Sequence, residues 1–384
     1  MKDNTNEEIM ESQNQLQQPQ QRSEGTTFLR TCFNGLNVVS GVGILSIPYA
    51  LSQGGWLSLI ILFLVAVLCW YTGLLLRRCM DANPLIKTYP DIGDLAFGCK
   101  GRAMVSILMY LELYFVAVEF LILEGDNLEK LFPNFGFIIS GLKIGGKQGF
   151  VLLTALIIWP TTWLRSLGIL AYVSAGGVLA SITLVACVLW VGAVDGVGFH
   201  ERGKLLNWGG LPTAVLAACF IISTANYGSM AILGYLMYGD HLKSQVTLNL
   251  PIRKISSKLA IYTTLINPLT KYAVIITPIA TALEDTPHLR KSRPISILVR
   301  TVLVISTVIV AITIPFFGYV LAFTGSFLGV TVSILLPCLC YLRINKTARR
   351  FGLELMLIVG ILLIGALAAV VGTYTSLKQI VTHL

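Results

Sequence analysis

Three ionisable side chains, Glu112, Glu119 and Lys271, lie inside long apolar stretches of the sequence. Glu112 and Glu119 are seven residues apart, which puts them on one helical face, two turns from each other. Charge within a membrane is costly and usually lines a pathway or pairs internally. The carboxyls could exchange protons and Lys271 could stand in place of a metal cation; a buried ion pair, or a glutamate reaching water at the membrane edge, fits equally. Tyr110 and Tyr114 flank Glu112 and could shape a pocket or simply pack.

A second candidate site lies in residues 31–50, where small and polar residues interrupt an apolar stretch. Gly41 and Gly43 are one residue apart, Pro48 follows five residues later, and Asn34 and Asn37 precede them. Glycine and proline are poor helix-interior residues. Backbone freed from helical bonds must face protein or a watery cavity, and transporters use broken helices to hold small zwitterions and ions. The pattern predicts a binding break; close helix packing at the glycines is the alternative.

Residues 256–282 form another apolar stretch that carries polar groups around a proline. Pro268 frees a carbonyl one turn earlier, and Asn267 with two nearby threonines could coordinate a cation there. The same side chains could instead satisfy the backbone at the kink. Asn267 joins Lys271 as a candidate for ion coupling.

Catalytic and metal chemistry find no support in the sequence. The four histidines fall in loops or in the tail, without metal-ligand spacing (His200, His241, His288 and His383). A phosphate-binding Gly-Lys-Ser/Thr loop is absent from the sequence. We therefore expect no enzyme, no metal and no cofactor.

The elements that must position these residues follow from the composition. Hydrophobic residues make up 55% of the 384 residues, charged residues only 12%, and the mean hydropathy is +0.76. Soluble domains carry roughly 25% charged residues, so the chain is expected to be an all-α polytopic membrane protein in a lipid bilayer. The net charge of +9 is typical of membrane proteins with basic cytosolic loops and does not indicate a nucleic-acid partner.

The hydropathy pattern divides the chain into a tail and a membrane domain. Residues 1–26 are polar and rich in glutamine and are predicted to be a disordered cytosolic tail, which leaves 27–384 as the transmembrane domain. About ten apolar stretches are long enough to span a bilayer: 28–52, 55–76, 104–123, 149–165, 169–194, 212–238, 256–282, 296–322, 324–342 and 352–376.

The basic residues conflict with ten simple crossings. Basic residues collect in cytosolic loops, and their distribution puts both the 196–210 loop and the 240–258 loop outside. Only one apolar stretch, 212–238, connects these loops. One helix cannot leave and return to the same face, so either this stretch does not cross simply, or a span is missing, or half of the chain opposes its charge bias.

Three motifs resemble the amino acid/auxin permease family. They are Thr-x-x-Asn-x-x-Asn-x3-Gly-x-Gly-x-Leu-x-x-Pro-x-Ala at 31–50, Ser-Gln-Val-Thr-Leu-Asn-Leu-Pro at 244–251, and Ile-Asn-Pro-Leu-Thr-Lys-Tyr-Ala-Val-Ile-Ile-Thr-Pro-Ile at 266–279. The nearest group in this resemblance is the plant and fungal vacuolar amino-acid transporters. The likeness extends over nearly everything from residue 27 onward.

The resemblance implies a LeuT-like inverted-repeat transporter fold and proton-coupled amino-acid transport. In that fold Asn34, Gly41, Val42 and Gly43 would hold the charged groups of the substrate, and Tyr110 would face the site together with Tyr114. Family members have two spans between the positions of Asp195 and Gly239, whereas this chain has one. The family's sixth helix is therefore expected to be missing, at the place where the charges conflict.

Two functions follow as expectations. The first is a secondary active amino-acid transporter working by alternating access on protons, with sodium as the other possible coupling ion, in the vacuolar membrane or alternatively the plasma membrane. The second is a truncated, transport-incompetent variant that acts only as a membrane interaction partner.

Overall fold

The computed structural model is a bundle of helices. It describes residues 43–83, 86, 88–133, 136–139, 142–163, 167–195, 221–284, 293–314, 316–350 and 352–383. The helices in these ranges are α1 (Gly43–Gly54), α2 (Leu57–Asp81), α3 (Tyr89–Leu131), α4 (Gly146–Ile158), α5 (Leu167–Ala193), α6 (Ile221–Tyr238), α7 (Ile255–Glu284), α8 (Arg293–Thr313), α9 (Phe317–Ile344) and α10 (Leu353–His383). Six of them, α2, α3, α7, α8, α9 and α10, are long and apolar enough to cross a membrane. The expected helical, multi-pass membrane architecture is confirmed, with one short β-hairpin as the exception among the described residues.

A small antiparallel hairpin, β1 (Phe137–Ile139) with β2 (Leu142–Ile144), lies between α3 and α4. The sequence analysis did not predict it. Strands of three residues carry too little alternation to stand out beside long apolar helices.

Helix α3 is bent near its start, at Gly98. Gly98 has φ 69° and ψ −163°, a conformation that glycine adopts at little cost. The bend brings Gly93 so close to Gly101 that a Cβ atom at Gly101 would lie 2.3 Å from the Gly93 carbonyl oxygen. Arg102 also reaches back and donates a 2.8 Å hydrogen bond to Asp91. The short first segment of α3 is thereby fixed against the long segment that carries Glu112 and Glu119.

Helix α9 is irregular in its middle. Its residues Thr324–Gly329 and Thr331–Leu335 are π-helical, and wider turns of this kind are often found at functional sites. Two side chains satisfy carbonyl groups in the second π-helical segment: Thr72 of α2 donates to Ser333 at 2.7 Å, and Tyr89 of α3 donates to Val332 at 2.7 Å.

The boundary between α8 and α9 differs from the predicted one. The sequence pattern puts spans at 296–322 and 324–342, whereas α8 ends at Thr313 and α9 begins at Phe317. Pro315 follows Ile314 in the sequence, and proline disfavours a helical conformation in the residue before it. Residues on both sides of the break are apolar, so hydropathy alone places it several residues too late.

The main apolar core joins the centre of α3 to α1, α5, α6, α7 and α8. Helix α7 packs against α5 and α3, and α1 packs chiefly against α6. By contrast, Leu363, Leu367 and Val370 of α10 are 67%, 66% and 69% exposed. Because these residues follow the three- and four-residue spacing of one helical face, they form a surface suited to lipid.

Candidate functional site

Of the residues around the binding break predicted at Gly41 and Gly43, the structure describes those from Gly43 onward. Asn34, Asn37, Gly41 and Val42 lie outside the described residues. Gly43 is the first residue of α1. The helix after the predicted break is therefore what the structure describes of this site.

Helix α1 packs tightly on α6 through a proline and a glycine. A Cβ atom at Gly234 would lie 2.5 Å from Cβ of Pro48, closer than any real side chain tolerates. At the next residue of α6, the rings of Tyr235 and Trp56 have centroids 5.2 Å apart. Close helix packing was the alternative interpretation of the glycines in residues 31–50. In the structure, Pro48 of that stretch packs closely against Gly234 of α6.

The two glutamates of α3 face the irregular part of α9. Glu119 is 1% exposed and lies beside the Thr324 side chain. Its Oε1 atom has no hydrogen-bond partner among the described residues. Glu112 is partly exposed, and a Cβ atom at Gly329 would lie 3.6 Å from its Oε1. The prediction that both carboxyls lie on one face of a helix is consistent with this arrangement.

Two further α3 residues, Tyr110 and Tyr114, are partly buried and pack against the main core. The ring of Tyr114 meets Phe115 edge-on at 5.9 Å, and Phe115 in turn meets Phe323 of α9 at 5.9 Å. The helix that carries them packs against α7, α8 and α9. Both tyrosines lie two residues from Glu112 in the sequence.

Lys271 lies in α7, where it is 1% exposed; the side chain of Asn267 lies outside the described residues. The two threonines near Pro268 donate hydrogen bonds back into their own helix, Thr263 to Leu259 at 2.6 Å and Thr264 to Ala260 at 2.9 Å. Because both hydroxyls donate to backbone carbonyls of their own helix, the two threonines satisfy the backbone near the kink. This favours that interpretation over cation coordination at these two positions.

The sequence analysis missed a buried polar cluster at the end of α3. Gln245 bonds to Asp126 and Asn127, and Lys130 reaches the backbone of the same loop. The signal that could have found the cluster was the 244–251 motif, whose polar residues needed partners in a buried setting.

Within the described ranges, no group of three His, Cys, Asp or Glu residues is arranged to hold a metal ion. Five of the cysteines there are buried, and Cys99 is exposed (Cys69, Cys79, Cys187, Cys338 and Cys340 are the buried ones).

Comparisons with known proteins identify the family. The family described as "Transmembrane amino acid transporter protein" matches residues 24–205 and 211–378. The amino acid transporter AVT1I of Arabidopsis thaliana is 48% identical over 387 aligned positions, covering 93% of this chain and 96% of that protein. The chain belongs to the transmembrane amino acid transporter family. The resemblance inferred from the motifs is thereby confirmed.

Other known proteins are also similar to this chain. The amino acid transporter AVT1J of Arabidopsis thaliana is 47% identical, covering 92% of each chain. The vesicular GABA transporter of Caenorhabditis elegans is 23% identical, covering 93% of this chain and 81% of that protein. Among solved structures, the inward-facing conformation of Mhp1 matches with a TM-score of 0.49 and 12% identity, covering 91% of each chain.

Proposed function

We propose that this chain is a secondary active transporter that moves amino acids across a membrane by alternating access, driven by protons. The observation that carries the proposal is the pair of carboxyls on α3, the buried Glu119 and the partly exposed Glu112, which face the irregular helix α9 inside the bundle of an amino acid transporter family member. Neither the substrate nor the ion requires a cofactor, and the proposal excludes an enzymatic role.

Proton coupling is supported by the surroundings of Glu119. An isolated carboxylate is expensive to bury in a medium of low dielectric constant, whereas a protonated carboxyl is neutral and costs far less. Glu119 has an oxygen without a partner among the described residues and faces a π-helical segment. Binding or release of a proton at Glu119 would change how α3 packs on α9, which is the kind of differential contact that shifts a two-state equilibrium.

The substrate site of this proposal lies at the predicted break. Backbone groups from Gly41 to Gly43, with Asn34 and Asn37, would bind the ammonium and carboxylate groups of the amino acid. Tyr110 and Tyr114 would line the same cavity from α3. Lys271 and Asn267 on α7 would supply the fixed charge and polar group that hold the coupling site, with sodium as the other ion to be tested.

Uptake into vesicles tests the proposal. Purified chain is reconstituted, a pH gradient is imposed, and accumulation of radiolabelled amino acids is measured, with a sodium gradient at equal pH as the comparison. We expect accumulation with the pH gradient and loss of it when an ionophore collapses the gradient. Gly43→Val should abolish uptake without abolishing insertion, because a β-branched side chain crowds the break. Retained uptake in Gly43→Val would contradict the placement of the site.

A specific observation favours the second candidate function, a transport-incompetent variant that acts as a membrane interaction partner. The family match is interrupted between residues 205 and 211, and the alignment with AVT1I uses 387 positions although this chain has 384 residues in all and only 93% of it is covered. AVT1I therefore has internal positions that this chain lacks. These support a missing sixth helix in the LeuT-like inverted-repeat arrangement. No uptake from well-inserted protein would favour this second function.

The membrane in which the chain works is proposed to be that of the vacuole, with the plasma membrane as the alternative. The support is the motif resemblance to vacuolar transporters, together with the vesicular transporter among the relatives. Fluorescence microscopy of the tagged chain against vacuolar and plasma-membrane markers distinguishes the two locations.

A further inference from the structure

The loop between α6 and α7 is tied to the end of α3 by the side chain of Gln245. Its Nε2 atom donates a 2.8 Å hydrogen bond to Oδ2 of Asp126, and its Oε1 atom accepts a 3.0 Å bond from Nδ2 of Asn127. Gln245 and Asn127 are fully buried. Because both ends of the amide are used, Gln245 is held in one orientation.

Charged groups reinforce this connection. Asp126 also forms an ion pair with Lys147 of α4. Lys130, one turn further along α3, donates to the carbonyl oxygens of Thr247 at 2.6 Å and Leu250 at 2.7 Å. Hydrogen bonds from or to ionised groups are roughly twice as strong as neutral ones. Helix α3, which is itself joined to α4 by the Lys147–Asp126 ion pair, therefore holds the loop at both ends of the turn Val246–Asn249.

The opposite side of the loop lies against the first helix and its neighbours. The Cβ position of Gly234, which is 2.5 Å from Pro48 of α1, is also 3.4 Å from Cγ2 of Val246. The Cβ position of Gly318, at the start of α9, lies 3.1 Å from Cβ of Ser244 and 3.9 Å from the ring of Tyr49. The loop thus lies between α1 and the end of α3, and it also packs against α6 and α9.

We propose that Gln245 is a positioning residue for transport. It holds residues 242–250 against α1 and keeps the site closed on the side of the membrane where this loop lies. For α1 to open to that side, the bonds of Gln245 to Asp126 and Asn127 must be exchanged for water. This inference rests on the proposed transport function, because closing a site matters only in a chain that alternates between two open states.

Four variants separate this role from simple loop stability. Gln245→Leu removes both hydrogen bonds at similar size. Gln245→Glu places a carboxylate against Asp126, and adding Asp126→Asn supplies an amide donor in its place, so the double variant restores the pairing with the two partners exchanged. Gln148→Glu, at an exposed position of α4, is the matched control.

Hydrogen–deuterium exchange of residues 242–250 in the reconstituted chain reads the connection directly. Loss of two buried hydrogen bonds should raise the exchange rate of this loop roughly tenfold in Gln245→Leu, and Gln245→Glu should raise it to a similar extent. The double variant should return the rate to that of the wild type, and Gln148→Glu should leave it unchanged. Unchanged exchange in Gln245→Leu would overturn the proposal.

Transport kinetics read the functional role. A weakened closed state favours the state open to the loop side, so Gln245→Leu should lower the half-saturating amino-acid concentration measured from that side several-fold and also lower the maximal rate, at equal amounts of inserted protein. The double variant should recover both values. Faster exchange with unchanged kinetics would reduce Gln245 to a structural role and overturn the inference. A wild-type chain that moves no amino acid would overturn the proposed function instead, while the exchange measurement would still decide whether Gln245 holds the loop.

Discussion

At the scale of single residues, the proposed proton coupling depends most on Glu119. Its charge-bearing group is buried and faces α9, so we expect Glu119→Gln to insert normally but to lose at least about 90% of uptake driven by a pH gradient. Glutamine keeps the shape and cannot release a proton, so exchange of labelled for unlabelled amino acid at equal pH should survive. Both rates are measured in the same vesicles.

The control for Glu119→Gln comes from the same helix. Glu129 is exposed, and Glu129→Gln makes the same chemical change where a carboxylate can stay hydrated. It should leave pH-driven uptake within about twofold of the wild type, since a surface charge in water contributes little. If Glu119→Gln kept full pH-driven accumulation, Glu119 would not be the coupling group.

Two glycines of α6 provide a residue-scale test of the contact between α6 and α1. A Cβ atom at Gly234 would meet Pro48 at 2.5 Å, whereas at Gly228 nothing lies within 4 Å. Gly234→Ala should therefore destabilise the chain by about 1–3 kcal/mol, the usual cost of overpacking. Gly228→Ala should be neutral or stabilise it by up to about 1 kcal/mol, since alanine is the better helix former. Thermal unfolding in detergent measures both; equal effects would contradict the close contact.

Sequence reasoning located the chemical groups better than their partners. The spacing of Glu112 and Glu119 was enough to put them on one helical face, because helix geometry is local. The sequence could not show which helix the two glutamates face, because their proximity to Thr324 and Gly329 depends on the packing of α9 against α3. The cluster around Gln245 was missed for the same reason: its members come from positions 126, 127, 130 and 245, and no short-range pattern joins them.

At the scale of the elements, the π-helical middle of α9 depends on neighbours that satisfy its carbonyl groups. Thr72 and Tyr89 donate to adjacent carbonyls, those of Ser333 and Val332. Removing a donor takes a hydrogen bond away from a partly buried carbonyl, so Thr72→Val and Tyr89→Phe should each destabilise the chain by about 1–3 kcal/mol. Because the two carbonyls are neighbours in one segment, the double variant should deviate from the sum of the single effects.

The matched control for this pair is Thr313→Val. Thr313 is exposed, and its hydroxyl donates only to a carbonyl of its own helix, that of Ile309 at 2.8 Å. The same substitution there should change stability by less than about 0.5 kcal/mol. A Thr72→Val effect as small as that of Thr313→Val would mean that α9 keeps its irregular shape without help from α2.

Element boundaries were predictable only where polar residues mark them. The stretch at 55–76 overlaps most of α2 and that at 256–282 lies within α7, since charged or polar residues flank both. The break between α8 and α9 falls among apolar residues, and the short helix α4 continues as a tighter turn over Trp159–Trp163. Hydropathy averages over such features, so a proline at 315 carried more information about this break than the hydrophobic pattern did.

At the scale of the whole molecule, the basic residues and the number of apolar stretches disagree about the C-terminus. Basic clusters precede α8 (Arg290, Lys291 and Arg293) and α10 (Arg343, Lys346, Arg349 and Arg350), and both should be cytosolic. Helix α10, at Leu353–His383, would then carry the C-terminus to the opposite face. Ten simple crossings from a cytosolic N-terminus would instead return it to the cytosol.

We expect the charge bias to prevail and the C-terminus to lie outside the cytosol. Each misplaced arginine or lysine near a span opposes insertion, and the two clusters together contain seven such residues, whereas the stretch at 212–238 need not cross simply. A glycosylation acceptor on a spacer after residue 384 should therefore be modified, and the same acceptor placed before residue 25 should stay unmodified. The natural Asn345-Lys-Thr sequon lies one residue beyond α9, too close to the membrane to be a fair reporter. An unmodified C-terminal acceptor would mean that the second half is inverted against its charges, and the transport proposal for this chain would fall with it.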